Sequence, residues 1–191
     1  ASYGQHLTVR DNLRVRDIVL SKWYQRLWPL QLVNDQNTKT RFNTHAGGWR
    51  IATSVGGVGT GEHPDFIVID DPTTAMQAQS EQERTSANEW FDRQISSRGM
   101  TRDVFVLVVM QRLHEEDLTG HLLKRGGVRH VCYPMRYEPF RQPNGADQGH
   151  VPDPTDPRKE AGELLFPALF TEDKIRQLEL DLGPYGTAGQ L

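Results

Sequence analysis

The chain has 191 residues, a formal net charge of −3 and a pI near 6.2, which allows one domain with a sizeable core and leaves little room for two. Bulk charge therefore makes no case for nucleic-acid binding, and any DNA contact has to come from a local patch or a basic region elsewhere. The single cysteine, Cys132, excludes an intramolecular disulfide and a thiolate metal cluster, and no apolar run approaches the roughly 20 residues that cross a bilayer.

Residues 5–21 set Leu7, Leu13, Ile18, Val19 and Leu20 among arginines and aspartates, predicting an amphipathic helix. Arg10, Arg14 and Arg16 form its outer, solvated face, which is also a candidate for meeting DNA or a neighbouring subunit. Trp23, Tyr24 and Trp28 read as a packing cluster before Pro29. Short threonine-rich segments at 30–33, 40–44 and 49–55 then predict a β-meander. A glycine-rich loop from Gly56 to Gly61 leads to Phe66-Ile67-Val68-Ile69, whose lack of alternation predicts a strand buried on both faces. Residues 80–98 read as a helix, with Ser80 as N-cap and Glu83 at the capping-box spacing. A second buried strand at 104–110, a helix at 115–124 and a third strand at 128–133 follow. Residues 138–162, rich in Pro, Gly, Asp and Arg, predict a long exposed loop. A last helix at 171–182, capped by Thr171, is stopped by Gly183-Pro184. Apolar strands alternating with helices give an α/β fold with a mostly parallel, helix-flanked sheet.

The most informative stretch is Asp65-Phe66-Ile67-Val68-Ile69-Asp70-Asp71-Pro72. In open α/β sheets the ligand sits beyond the carboxyl ends of the strands. A strand delivering two carboxylates there resembles the Walker B element of P-loop ATPases. Successive strand residues point opposite ways, so one acid can hold Mg²⁺ while the next orients the attacking water. Asp70 is assigned to the metal and Asp71 to the water. Taken alone, the same residues also describe a strand running into a helix-capping turn.

Three further features keep order and spacing with this strand. Gly47-Gly48-Trp49-Arg50 and Gly56-Gly57-Val58-Gly59-Thr60-Gly61 precede it, a helix with Ser80, Arg84 and Trp90 follows, and the second strand ends in Gln111-Arg112-Leu113-His114-Glu115-Glu116-Asp117-Leu118-Thr119-Gly120. Together they resemble the large terminase subunit of tailed bacteriophages, over nearly the whole chain. Ala1-Ser2-Tyr3 is similar to the segment that follows that family's phosphate loop, and Leu182-Gly183-Pro184-Tyr185 to the hinge before its nuclease domain. Two positions depart from the pattern: Glu62 stands where arginine is usual, and Leu113 replaces the tryptophan of the coupling motif.

No Gly-x-x-x-x-Gly-Lys-Ser/Thr occurs in the chain. The resemblance therefore implies a P-loop NTPase-like domain truncated before its Walker A strand and loop, with both ends read as cuts. Residues 1–137 would form the ATPase core, 138–162 the exposed loop, and 163–191 the helix and hinge leading to an absent nuclease domain. The whole subunit is expected to be a Mg²⁺-dependent ATPase and endonuclease, and the isolated chain inactive. ATP and Mg²⁺ are the implied cofactors. The implied partners are double-stranded DNA, the portal protein, the small terminase subunit and further copies in a homo-oligomeric ring, in the host cytoplasm and without a membrane. Rival readings are another P-loop motor such as a helicase, or a non-hydrolysing DNA-binding or scaffold module.

Gln111 and Arg112 are candidates for sensing the γ-phosphate, against ordinary polarity at a strand end. Arg50 is a candidate cofactor-binding residue, against a salt-bridge partner. His114, Glu115, Glu116 and Asp117 read as acids of a first helical turn and not as a metal site, because no second histidine lies at ligand spacing. Cys132 reads as a buried core thiol.

Overall fold

Helix α1 (Gln5–Leu20) begins after an extended Gly4 and buries Val19 and Asn12. Asn12 ties it to the neighbouring strands: its Nδ2 donates to the Lys39 carbonyl at 3.0 Å and its Oδ1 accepts from Arg50 Nε at 3.1 Å. Ser21 then caps a short α2 (Lys22–Leu27) by accepting from the Tyr24 amide. The expected meander follows as β1 (Leu32–Asn37), β2 (Arg41–Thr44) and β3 (Trp49–Ile51), antiparallel and in the order β1-β2-β3. These are coordinates of a computed structural model, which describes residues 1–57, 61–97, 104–142 and 151–191. They divide into two compact units, Ala1–Met110 with Glu116–Thr119, and Gln111–Glu115 with Gly120–Leu191.

In the first unit β4 (Phe66–Asp70) and β5 (Phe105–Val109) pair parallel and in register, from Phe66↔Phe105 to Asp70↔Val109. A parallel pair needs a long crossover, and here it carries α3 (Ala75–Gln79), α4 (Glu81–Trp90) and a π-helical turn over Phe91–Ile95. The N-terminal residues extend the pair on the side of β4: Ala1 N donates to Val68 O at 2.5 Å, Asp70 N to Ala1 O at 2.8 Å, and Ser2 bridges Ser54 in parallel. The molecule is thus a mixed α/β chain with a small parallel sheet.

Burial corrects the sequence reading of these strands. Paired residues share a face, and the row Phe66, Asp70, Phe105, Leu107, Val109 is exposed around half-buried Val68, while Ile69 on the alternate row is fully buried. The apolar run was read as burial on both faces, but among the described residues one face lacks a covering layer. The Phe66 and Phe105 rings stack on each other there, 4.8 Å apart.

Two helix starts also differ from expectation. The reciprocal capping box sits at Thr74 and Gln77, opening α3, which the sequence reading missed. Ser80 does cap α4 by accepting from the Glu83 amide, but the Glu83 carboxylate accepts from Gln77 instead. Buried Arg84 joins the two helices through Nη1 to the Ala78 carbonyl at 2.8 Å.

The second unit holds most of α5 (Leu118–Arg125) and α6 (Glu172–Gln190). No strand forms at 128–133; the segment has no ladder partner among the described residues, and Val128, Val131 and Tyr133 stay exposed. Cys132 is exposed too, not the buried thiol expected. Residues 135–137 pair instead with 162–165, through Leu165 N to Met135 O and Tyr137 N to Glu163 O.

The described part of the expected exposed loop contains a buried ion pair. Arg158 and Asp156 are 4% and 3% exposed. They form a two-pronged pair at 3.0 and 2.8 Å, and Arg158 Nη1 also donates to the carbonyls of Met135 and Glu163. Arg136 fastens α6 by donating to both Glu172 and Glu179. The expected stop at Gly183-Pro184 is a kink: Gly183 takes φ 66° and a helical stretch resumes after it, with Pro184 in a first turn where its missing N–H costs nothing. Among the described residues no helix is long and apolar enough to cross a membrane.

The Arg158 guanidinium holds the Asp156 carboxyl below its ordinary value near 3.8, and Arg136 does the same to Glu172 from 4.5. A carboxyl depressed on folding contributes stability that is complete above its unfolded pKa and lost as pH falls through the folded one. The NMR resonances of 135–142 and 151–165 are therefore expected to lose native dispersion below about pH 4. Arg158→Ala should lower the melting temperature at neutral pH by roughly 6 °C or more. An unchanged melt in that variant would remove the pair as a stabilising centre.

Candidate functional site

The carboxyl end of β4 places Asp70 on the exposed row, as the last strand residue. Asp71 leaves the strand with φ 42°, the one non-glycine residue with positive φ among those described. A side chain in that left-handed region costs about 1–2 kcal/mol, less for aspartate than for bulkier residues. Three hydrogen bonds hold it there. The Asp71 amide donates to Val109 O at 2.9 Å, and its carbonyl accepts from the Tyr3 amide at 3.0 Å and from Ser2 Oγ at 3.4 Å. Strand alternation therefore does not set the direction of the Asp71 carboxylate; its own turn does.

The remaining candidates are placed as follows. Beyond β5 the chain runs through Met110 to exposed Gln111 and half-buried Arg112, the start of the second unit. Leu113 is buried, and its carbonyl accepts from Tyr185 Oη at 2.6 Å. Arg50 lies on β3 with Nε committed to Asn12. Glu62 pairs with Arg41 at 2.7 Å. His114 and the acids after it precede α5 rather than forming its first turn, and Asp117 is buried. No group of three or more metal-ligating side chains occurs among the described residues. Residues 58–60 of the glycine-rich loop lie outside them.

A cleft of about 180 Å³ opens beside this strand end, lined by Tyr3, Val55, Pro72, Gln77, Glu83 and Trp90 among others. Among the described residues its lining contains no lysine or arginine, so these residues alone do not form a polyphosphate cradle. The Trp90 indole N–H is buried with no hydrogen-bond partner among the described residues.

One hold on the site went unread in the sequence. Ser2 and Tyr3 hold the Asp71 peptide from a distant point in the chain, and only the pairing of Ala1–Tyr3 with β4 reveals it. Gly120, the last residue of the 111–120 stretch, leaves no room for a side chain, since a Cβ there would stand 1.8 Å from Glu115 O. No protein-family model matches the chain, and no curated protein matches it.

Backbone strain and carboxylate chemistry at Asp71 are separable. Asp71→Gly is expected to melt at or above the parent temperature, and Asp71→Val several degrees lower, by roughly 1–2 kcal/mol. If Asp71→Gly melted well below the parent, the carboxylate and not the backbone would hold the turn. Gly120→Ala should fold poorly, seen as lost dispersion in the amide spectrum of residues 111–125, because backbone has to move to admit the methyl.

Proposed function

We propose that the chain is the Walker B and coupling portion of a P-loop-type ATPase, the motor of viral DNA packaging in a large terminase subunit. One observation carries the reading. Two adjacent acids emerge at the carboxyl end of a parallel strand, the second in a strained conformation fixed by three hydrogen bonds. Strain of that kind clusters at functional sites, and the inference runs from the outlier to the function. The neighbouring strand ends at the same level, Asp70 opposite Val109, and leads directly to Gln111.

Asp70 fits Mg²⁺ by chemistry: it is an exposed, hard oxygen donor, and Mg²⁺ takes one or two carboxylates alongside waters and substrate phosphates. Such an ion neutralises charge on the phosphates of ATP. Asp71 orients the attacking water and accepts its proton, in a direction set by the left-handed turn. Gln111 and Arg112, leaving the adjacent strand, sense the γ-phosphate and pass its loss to α5. Arg50 is a weaker candidate for phosphate, since its Nε already serves Asn12. Double-stranded DNA, the portal protein, the small subunit and a homo-oligomeric ring belong to this reading as partners of the whole subunit.

The test restores the upstream segment carrying the phosphate loop and measures Mg²⁺-dependent ATP hydrolysis. Asp71→Asn is expected to lower kcat by about 100-fold or more with little change in KM, while the chain of 191 residues alone shows no turnover. Equal, measurable rates for parent and Asp71→Asn would end the assignment of Asp71, and no hydrolysis by the restored parent would leave a non-hydrolysing module.

A further inference from the structure

The aromatic cluster at the end of α1 was expected to be packed, and it is not. Trp23, Leu27 and Trp28 are 58%, 60% and 57% exposed. Trp23 and Leu27 lie one turn apart on α2, so they share a face. Tyr24 joins Trp23 to Trp28, with ring centroids at 5.8 and 5.4 Å. A contiguous exposed apolar patch rimmed by polar residues is a mark of an interaction site. Tryptophan is also among the residues that dominate binding energy at interfaces.

The charges beside the patch indicate what covers it. Lys22 and Arg26 are one helical turn apart on α2, both exposed, and neither has an ion pair or hydrogen bond from its side chain among the described residues. The cations of α1 are in a different state: Arg10 and Arg14 bind Asp11, and Arg16 donates to Asn37. From Ile18 to Leu30 the sequence contains two cations and no acid, in a chain whose net charge is −3. Single-stranded nucleic acid takes a row of aromatics along a continuous basic groove, whereas this surface sets two cations against a mixed aliphatic and aromatic face.

We infer that the α2 face formed by Trp23, Leu27 and Trp28, flanked by Lys22 and Arg26, docks an amphipathic, acidic segment of a partner protein. Apolar side chains of that segment cover the tryptophans, and its carboxylates meet the two unpaired cations. The inference stands apart from the ATPase reading and does not depend on it.

The probe is a synthetic helical peptide with leucines at i, i+3, i+4 and i+7 and glutamates elsewhere, titrated into the full chain. Controls are the same peptide with lysine in place of glutamate, an oligothymidylate, and phosphatidylcholine–phosphatidylserine vesicles. Binding is read from the indole N–H resonances of Trp23 and Trp28 and from tryptophan emission. The acidic peptide is expected to shift both resonances saturably and to move emission to the blue. Trp23→Ala and the double variant Lys22→Glu, Arg26→Glu should each weaken binding about tenfold or more. These positions are exposed, so the variants should keep the parent melting temperature. The inference is overturned if the acidic peptide leaves both resonances in place, or if the lysine peptide binds as well. It is equally overturned if the oligonucleotide or the vesicles shift the indoles while the acidic peptide does not, or if they move with protein concentration alone, which would make a second copy the occupant.

Discussion

The peptide group of Asp71 is held on two sides, and the geometry of the strand end depends on that hold. Its N–H is committed to β5 through Val109 O, and its carbonyl to the N-terminal residues through Tyr3 N–H and Ser2 Oγ. A single residue thus joins three neighbouring stretches of backbone at their carboxyl ends. Each bond contributes about 1 kcal/mol net, comparable with the penalty for a positive φ at a residue with a Cβ. The turn is therefore kept by its neighbours and not by its own preference. Loss of the pairing between Ala1–Tyr3 and β4 would release Asp71 to an ordinary extended or helical conformation, and its carboxylate would point elsewhere.

The same sheet shows how incomplete covering changes the meaning of an apolar strand. Phe105, Leu107 and Val109 alternate with half-buried Val106 and Val108, so β5 behaves as a half-solvated strand despite a sequence without a polar residue. Among the described residues β5 is an edge strand, and an edge of this composition is a template for further pairing. In the second unit the organising element is polar instead. Arg158 satisfies Asp156 and two backbone carbonyls at once, which is what permits a charge to be buried in a segment poor in apolar residues. One unit is organised by apolar burial on one face, the other by a satisfied ionic centre.

Local patterns were legible where the cause was local. The helix at the start, the meander, and the two apolar strands follow from periodicity and turn residues, and their pairing in parallel follows from the helices between them. The Thr74–Gln77 box also had its signature in sequence; the Ser80–Glu83 pair with the same spacing drew attention away from it. What failed depended on distant neighbours. Burial of β4 and β5 is decided by what lies on their second face, and the fate of Trp23 and Trp28 by what packs on α2. A strand at 128–133 requires a partner and not merely β-branched residues. The Asp156–Arg158 pair was hidden because aspartate and arginine are seldom buried unless paired, and their pairing is invisible in composition. At the candidate site the acids themselves were readable, but the positive φ of Asp71 was not, since nothing in Asp70-Asp71-Pro72 names Ser2 and Tyr3 as its holders.

Charge at the strand end sets the last constraint. Asp70 and Asp71 stand side by side, and the nearby cleft has Glu83 and, among the described residues, no lysine or arginine in its lining. A nucleotide triphosphate brings several negative charges, and like charges a few ångströms apart repel by roughly 1 kcal/mol per pair in water and several times more where water is excluded. Three cations of the first unit already have partners: Arg50 Nε donates to Asn12, Arg41 pairs with Glu62, and Arg10 pairs with Asp11. On the proposed reading, the acids that place the metal and the water therefore need positive charge brought from outside this set, by the divalent ion and by a lysine-bearing phosphate loop. On that reading, a carboxylate pair without such a loop is half of a site.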